Sequence, residues 1–376
     1  MKLSVIILNY NVKYFTDACL QTVLKAVGNR KDIEIIVADN HSTDGSKAYL
    51  EALYPDIRFL WFDQNHGFGK AYNKAVKQAK GNYLLFLNPD TLVSDTIIDE
   101  FETFARQHPG FGITGGKMID GTGRFLPESK RGIPTPIVAF SKLTQLYKIL
   151  NFKPFNSYYT IHLSENQTGK TDILTGALMF MKKDTFEKVG GFDEQFFMYG
   201  EDIDLSYRIK QLKKDNYYWP KAKIIHFKGE SSRKDNRYFQ NFLETTFQFY
   251  RKHFRSFPAL EVLMKSFFKI WLKLKKTTPQ VPERQHWHDV YFWGDQQYFK
   301  IIKQRYPKAQ LFDHKNAINR QSMLLIFDMN TLPVSQIIAT MESLKNKPIN
   351  FRFYFPQRKM LLGSDHKDTL GKVVFL

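Results

Sequence analysis

Leu3-Ser4-Val5-Ile6-Ile7-Leu8-Asn9-Tyr10-Asn11 is a nearly unbroken apolar run that ends in two amides and a tyrosine. Without polar alternation, such a run predicts a strand buried on both faces, as in a parallel sheet. The pattern repeats outward from it. A helical stretch is expected from about Val12 to Ala26, then a strand at Ile33–Ala38. Ser42-Thr43-Asp44-Gly45 opens a helix through about Ala52, with serine and aspartate suited to N-capping. Ile57–Phe62 reads as a strand, Phe68–Ala79 as a helix and Tyr83–Leu87 as a fourth strand. The β-α-β-α-β order predicts an α/β fold with a mainly parallel sheet and helices on both faces.

In such sheets ligands bind beyond the carboxyl ends of the strands. The four strands run into Asn9-Tyr10-Asn11, Asp39-Asn40, Asn65-His66-Gly67 and Asn88-Pro89-Asp90. Each cluster alone reads as a turn. Four in succession at one topological position predict a shared ligand site. Within it, Asp90 can hold a divalent cation through oxygen or simply close a turn. Asp39 can accept from a ribose hydroxyl or brace a capping loop. Glu201-Asp202 follows the aromatic run Phe196–Gly200 and opens a helix over Ile203–Lys213. Acidic residues suit a helix start, and they also suit a general base held at a fixed position. Asp204 is expected to face along the helix. His226, at the end of a strand over Lys223–Phe227, reads as a metal ligand or as a structural histidine.

The rest of the chain is less regular. A strand is expected over Asp172–Lys182, a short helix over Thr185–Val189 and an aromatic-rich helical pattern from about Tyr238 to Trp271. Ser322–Phe327, Val334–Leu344 and Asn350–Phe355 predict a small β-α-β segment. Of 376 residues, 55 are Lys or Arg and 37 Asp or Glu, a net charge of +18; aromatics reach 15%. The composition excludes disorder, collagen and disulfide scaffolds, because the one cysteine, Cys19, has no partner for an intrachain bridge. No apolar run approaches the ~20 residues of a membrane span, so a cytoplasmic location is expected. The basic excess concentrates between Tyr207 and Lys315, with 24 Lys/Arg against 9 Asp/Glu. Between Phe254 and Lys276, apolar residues and lysines recur at spacings of three and four. That predicts a basic amphipathic helix, either packed on the protein or lying on an anionic membrane surface.

Seven motifs occur together and in order over about residues 1–235. They are Val5–Asn11, Val37-Ala38-Asp39-Asn40-His41-Ser42-Thr43-Asp44-Gly45-Ser46, Asn65–Asn73, Leu87-Asn88-Pro89-Asp90, Gly176-Ala177, Gly190-Gly191-Phe192-Asp193-Glu194 and Phe196–Leu205. With them the sequence resembles family 2 glycosyltransferases of GT-A fold, a Rossmann-like architecture, in the bacterial rhamnosyltransferase-like branch. The resemblance implies an inverting transfer from a nucleotide-diphosphate sugar to a hydroxyl of a glycan or lipid-linked acceptor, in cell-surface polysaccharide biosynthesis. It implies that Asn9, Tyr10, Asn11, Asp39 and Asn40 line the nucleoside pocket, flanked by Asn65, Gly67, Phe68, Gly69, Lys70 and Asn73. Asn88 and Asp90 fall at the Asp-X-Asp position, with Asn a weaker ligand, so Asp90 and His226 would hold Mn²⁺ or Mg²⁺. Asp202 matches the catalytic base, with Glu201 beside it. Lys70, Arg131, Arg233 and Lys234 are candidate diphosphate contacts, and Ser231–Lys234 a candidate lid.

Three segments follow from this reading: a GT-A transferase over 1–255, a basic aromatic helical extension over 256–320 and a small β-α-β segment over 321–376. A location peripheral to the inner face of the cell membrane is expected. Two rival readings are a nucleotidyltransferase acting on a sugar phosphate and a nucleic-acid-binding protein. The first lacks the glycine-rich basic loop after strand one. The second lacks any zinc spacing, RRM signature or helix-turn-helix pattern, and its backbone ligand would be repelled by the Asn/Asp strand ends; no nucleic-acid partner is expected.

Overall fold

Strand β1 (Leu3–Asn9) is buried along its whole length, and that follows from its position. It lies between β2 (Ile33–Asp39) and β4 (Tyr83–Leu87), parallel to both. The computed structural model describes residues 2–135, 160, 162–227, 236–254, 262, 266, 287–313, 322–365 and 371–376. Helices α1 (Lys13–Val27), α2 (Ser46–Leu53) and α3 (Phe68–Val76) follow β1, β2 and β3 (Arg58–Trp61) in turn. Beyond β4 come β5 (Thr91–Val93), α4 (Ile97–Gln107), β6 (Ile113–Ile119), β7 (Gly169–Thr171), β8 (Leu178–Lys182), α5 (Lys183–Lys188), α6 (Glu201–Gln211) and β9 (Asn216–His226). The sheet runs β3-β2-β1-β4-β8-β6-β9-β5, with β7 also on β9. β5, β7 and β8 are antiparallel to their neighbours and the rest share one direction, so the mainly parallel sheet is as expected.

Some elements differ from the sequence reading. The strand expected over Asp172–Lys182 begins only at Leu178. Upstream of it, Ile173 bridges to Arg131 instead of continuing the strand. Helix α2 starts at Ser46, not Ser42, because Gly45 turns the chain at φ 84°. Asp44 is thereby free to accept from the Lys13 amide at 3.0 Å, where it caps α1 from another loop. The helical pattern from Tyr238 is α7 (Asn236–His253). Apart from Phe254, Val262 and Ser266, the basic segment 254–276 lies outside the described residues, as does Ser231–Lys234 with Arg233 and Lys234.

A second sheet has six strands in the order β11-β10-β12-β13-β14-β15. They are β10 (Asp289–Trp293), β11 (Gln310–Leu311), β12 (Met323–Asp328), β13 (Ile349–Phe355), β14 (Met360–Gly363) and β15 (Lys372–Phe375), with helices α8 (Gln296–Arg305) and α9 (Val334–Leu344). The expected β-α-β is therefore the centre of a larger unit. β10, α8 and β11 belong to this sheet, although the sequence reading assigned them to the extension over 256–320.

The two sheets share a hydrophobic core. Val12, Phe15, Ala18, Leu92, Ile119, Ile225 and Phe227 pack with Met323, Phe327, Ile337, Met341, Phe351 and Phe353. Charged groups fasten its edges. Lys117 meets Glu342 at 2.5 Å, Lys223 meets Glu342 at 2.7 Å and Arg358 meets Asp17 at 3.0 Å. A large apolar interface of this kind opposes relative motion of the two units.

Candidate active site

The carboxyl ends of β1 and β2 are in register, Asn9 opposite Asp39. Asn9 donates to Asp39 Oδ2 at 2.6 Å and to Ser46 Oγ at 2.9 Å, and its own Oδ1 accepts from Thr16 at 2.7 Å. Its side chain is fully buried, so Asn9 is not a pocket lining as expected; it orients Asp39. Asp39 Oδ1 accepts from the Ser42 amide at 2.7 Å. Asn40 donates to Asn65 Oδ1 at 2.8 Å and to the Gly67 carbonyl at 3.0 Å, and accepts from the His66 amide at 2.9 Å. Three of the four expected strand ends are thus cross-braced into one edge. Tyr10 is half-buried beside it. Asn11 is exposed at φ 56°, with its Oδ1 taking the Thr43 amide.

Helix α3 serves a different neighbour from the one expected. Gly67 stands at φ 76°, and a Cβ there would lie 2.3 Å from the Phe197 carbonyl, which accepts from the Phe68 amide at 2.9 Å. Gly69 lies under Phe192, and a Cβ on it would come within 2.9 Å. Asn73 donates to the Phe192 carbonyl at 2.8 Å and accepts from its amide at 2.9 Å. Lys70 lies 3.8 Å from Glu194. Gly67, Phe68, Gly69, Lys70 and Asn73 therefore hold the segment 192–197, which leads to α6.

Beyond that segment come Tyr199 at φ 67° and Gly200 at φ 99°, a turn that delivers Glu201 and Asp202 at the start of α6. Asp202 Oδ2 accepts from Arg131 Nη2 at 2.6 Å and from the Gly176 amide at 3.2 Å. Arg131, expected at a diphosphate, instead pairs with this carboxylate and donates to the Leu174 carbonyl at 2.8 Å. Glu201 points inward. Burial, and then the charge of Asp202, push its carboxyl up to about 8. Among the described residues its Oε2 has no hydrogen-bond partner. Asp204, expected to face along the helix, is fully buried and takes Arg208 at 2.6 Å, Lys252 at 2.7 Å and His253 at 2.6 Å. It fastens α6 to α7. Sequence spacing gave no sign of this, because His253 is far along the chain.

The third cluster forms where β5 meets β9. Thr91 is opposite His226, and the Phe227 amide donates to the Asp90 carbonyl at 3.0 Å. His226 Nε2 lies 3.2 Å from Asp90 Oδ1 and 3.5 Å from Asn88 Nδ2. Both side chains are more than nine-tenths buried, yet Asp90 Oδ1 and His226 Nδ1 have no hydrogen-bond partner among the described residues. Buried polar atoms left unpaired are costly, and a divalent cation between Asp90 Oδ1 and His226 Nε2 would satisfy the orphaned oxygen, although His226 Nδ1 points elsewhere and is not reached by the same ion. A separation of 3.2 Å matches adjacent ligands on one octahedral ion, ~3 Å apart for bonds of ~2.1 Å. The pair thus fits the expected cation. No group of three or more His, Cys, Asp or Glu among the described residues could hold one alone.

Two consecutive residues join the clusters. The Ala177 carbonyl accepts from the Asn88 amide at 3.1 Å, and the Gly176 amide donates to Asp202. Gly176 is also close to Phe68: a Cβ there would meet that ring at 2.8 Å. Asn88, at the head of the Asp90 turn, and Asp202 therefore bond to neighbouring residues of one short segment.

Residues 4–190 match the family described as Glycosyl transferase family 2, and residues 162–230 match the N-terminal domain of galactosyltransferase. The chain is 28% identical over 225 residues to N-acetylglucosaminyl-diphospho-decaprenol L-rhamnosyltransferase of Mycobacterium tuberculosis, covering 56% of this chain and 71% of that protein. It is 27% identical over 205 residues to the O-antigen biosynthesis protein RfbC of Myxococcus xanthus, covering 54% and 15% respectively. Among solved structures, the mannosyltransferase PcManGT from Pyrobaculum calidifontis in complex with GDP-Man and Mn²⁺ is 17% identical. It aligns with a TM-score of 0.47 over 69% of this chain and 66% of that one.

Proposed function

This chain belongs to glycosyl transferase family 2, and from that premise we propose that it moves a sugar from a nucleotide-diphosphate donor to an acceptor hydroxyl with inversion. Family membership replaces the nucleotidyltransferase and nucleic-acid readings. The acceptor is a glycan or a lipid-linked saccharide of cell-surface polysaccharide biosynthesis, in keeping with the relatives' names. The observation that carries the mechanism is the Gly176-Ala177 link, which fixes Asp202 and the Asn88–Asp90 turn against one peptide.

Asp202 takes the proton of the acceptor hydroxyl as that oxygen bonds to the anomeric carbon. The bond from that carbon to the phosphate oxygen breaks on the opposite face, and the nucleoside diphosphate leaves with the electron pair. Arg131 and the Gly176 amide hold one oxygen of Asp202, so the carboxylate meets the acceptor in one orientation. Asp90 and His226 would hold Mn²⁺ or Mg²⁺. When bound, the cation supplies positive charge against the leaving diphosphate. Asp39, with Asn9 and Asn40 behind it, would take the nucleoside. General-base catalysis contributes about 10²–10⁴-fold. Asp202→Asn therefore lowers transfer by at least ~10²-fold while leaving donor affinity within about threefold, as read by donor titration beside a turnover assay. Full turnover by the variant overturns the base assignment. Chelation by EDTA abolishes transfer and Mn²⁺ or Mg²⁺ restores it; activity indifferent to chelation removes the cation from the mechanism.

No helix among the described residues is long and apolar enough to cross a membrane. The basic segment 254–276 would bring the enzyme to an anionic lipid surface on the cytoplasmic side, where a lipid-linked acceptor is anchored. Flotation with phosphatidylglycerol liposomes tests this: the full chain floats, and deletion of 254–276 leaves it in the soluble fraction.

A further inference from the structure

We propose that the C-terminal six-stranded unit is a positioning element of the cation site, acting through Phe353 on the strand that carries His226. The inference rests on the reading of Asp90 and His226 as cation ligands. Alternation on paired strands sends successive side chains to opposite faces. On one face of the β5–β9 pair stand Thr91 and His226, and Asp90, just before β5, brings its carboxylate to 3.2 Å from the His226 ring. On the other, Leu92, Ile225 and Phe227 enter the core shared with the second sheet. Phe227 is 1% exposed and is gripped from both sides. Its ring lies 5.4 Å from Phe15 of α1 and 5.5 Å from Phe353 of β13, edge-on to each. Its amide is the donor to the Asp90 carbonyl, so Phe227 touches the backbone of one ligand and adjoins the other in sequence. Farther along the same strand, Lys223 is held by Glu342 of α9.

Phe353 meets the residue after His226, and Glu342 meets Lys223 three residues before it. Their effect is to fix the backbone from which both ligands project. A cation of this kind tolerates little departure from its preferred geometry, and partners outside the ligand shell commonly change affinity 10–100-fold. Removing the Phe353 ring leaves a void that Phe227 relaxes into, which carries His226 out of place.

The test is Mn²⁺ affinity of the full chain, followed by the electron paramagnetic resonance signal of free Mn²⁺ during titration, without substrate. Phe353→Ala is expected to weaken Mn²⁺ binding about tenfold or more, with Phe353→Leu restoring most of it. Phe351→Ala is the control. It removes a ring from the same strand that stacks on Phe327 at 5.7 Å, and it is expected to leave affinity within about threefold. Equal weakening by both variants, or none by Phe353→Ala in a folded chain, overturns the proposal. Should Phe353→Ala fail to fold, Phe353→Leu is read instead, at a smaller shift of about threefold; unchanged affinity overturns the proposal. His226→Ala separates the two levels of the reading. Unchanged Mn²⁺ binding in that variant overturns the cation site, and this inference with it.

Discussion

Glu201 and Asp202 are adjacent acids with opposite surroundings. Asp202 faces donors from Arg131 and Gly176, while Glu201 turns into the protein. Because Glu201 is pushed from its ordinary 4.5 to about 8, the folded state holds its proton more tightly than the unfolded state. Its contribution to stability is complete below pH 4.5 and is lost as pH rises through about 8. Glu201→Gln should flatten the fall in urea-unfolding stability across that window; an unchanged slope assigns the fall to other groups. At this scale the sequence was informative about position: Asp90 and His226 lie at the ends of the β5–β9 pair and Asp202 at the start of α6, as expected. It presented Arg131 as a diphosphate contact, because its partner Asp202 is 71 residues away and leaves no local pattern. It misjudged Asn9, since an amide at a strand end looks the same whether it faces a ligand or a neighbouring carboxylate.

Among the elements, α3 illustrates how packing replaces an expected ligand contact. Gly67 and Gly28 both have positive φ, at 76° and 56°, but only Gly67 has backbone against its missing Cβ. Gly28 is at φ 56° and ψ −133°, outside the left-handed helical region, so Gly28→Ala should cost about 1–3 kcal/mol from backbone strain alone. Gly67→Ala carries the same kind of strain and also drives a Cβ to 2.3 Å from the Phe197 carbonyl, so it should cost more, by about 1–3 kcal/mol, and should lower activity by shifting segment 192–197. Denaturant unfolding of the two variants reads the difference, and equal costs would show that Phe197 yields freely. Helix α9 has no side-chain cap at Pro333. Its cap comes from Asp95, which accepts from the Ser335 amide at 2.8 Å and from its hydroxyl at 3.1 Å. Asp95→Ala should therefore cost about 0.5–2 kcal/mol, although the aspartate is outside the helix it caps. The β-α-β alternation of the first strands was legible because buried parallel strands are apolar throughout. Caps supplied across the fold leave no local pattern, and β10 and β11 are short strands in a lysine-rich stretch.

Across the whole molecule, the second sheet is bound by buried charge as well as apolar packing. Lys117 is 2% exposed and rests on Glu342, with Glu165 at 3.3 Å. Burial alone would raise the Glu342 carboxyl, but hydrogen bonds from Lys117 and Lys223 outweigh it and hold the group low. Its stabilisation is thus present above the ordinary 4.5 and is lost as the solution is acidified below it. Glu342→Ala leaves Lys117 short of a buried partner and should cost about 3–5 kcal/mol, measured by thermal or urea unfolding. A loss under ~1 kcal/mol would mean that Glu165 compensates, as for an exposed pair. The division at residue 320 expected from composition cut through this sheet, because charge density changes along the chain at a different place from the core.

The shared core also sets a schedule. Leu92, Ile225 and Phe227 leave the ribosome well before Phe351 and Phe353, which cover them. Synthesis at roughly 5–20 residues per second leaves that apolar face naked for on the order of 10 s. During that interval a nascent chain with its first sheet already formed would still be a client for chaperones, and a message cut short before β13 would yield a sticky product rather than a smaller enzyme.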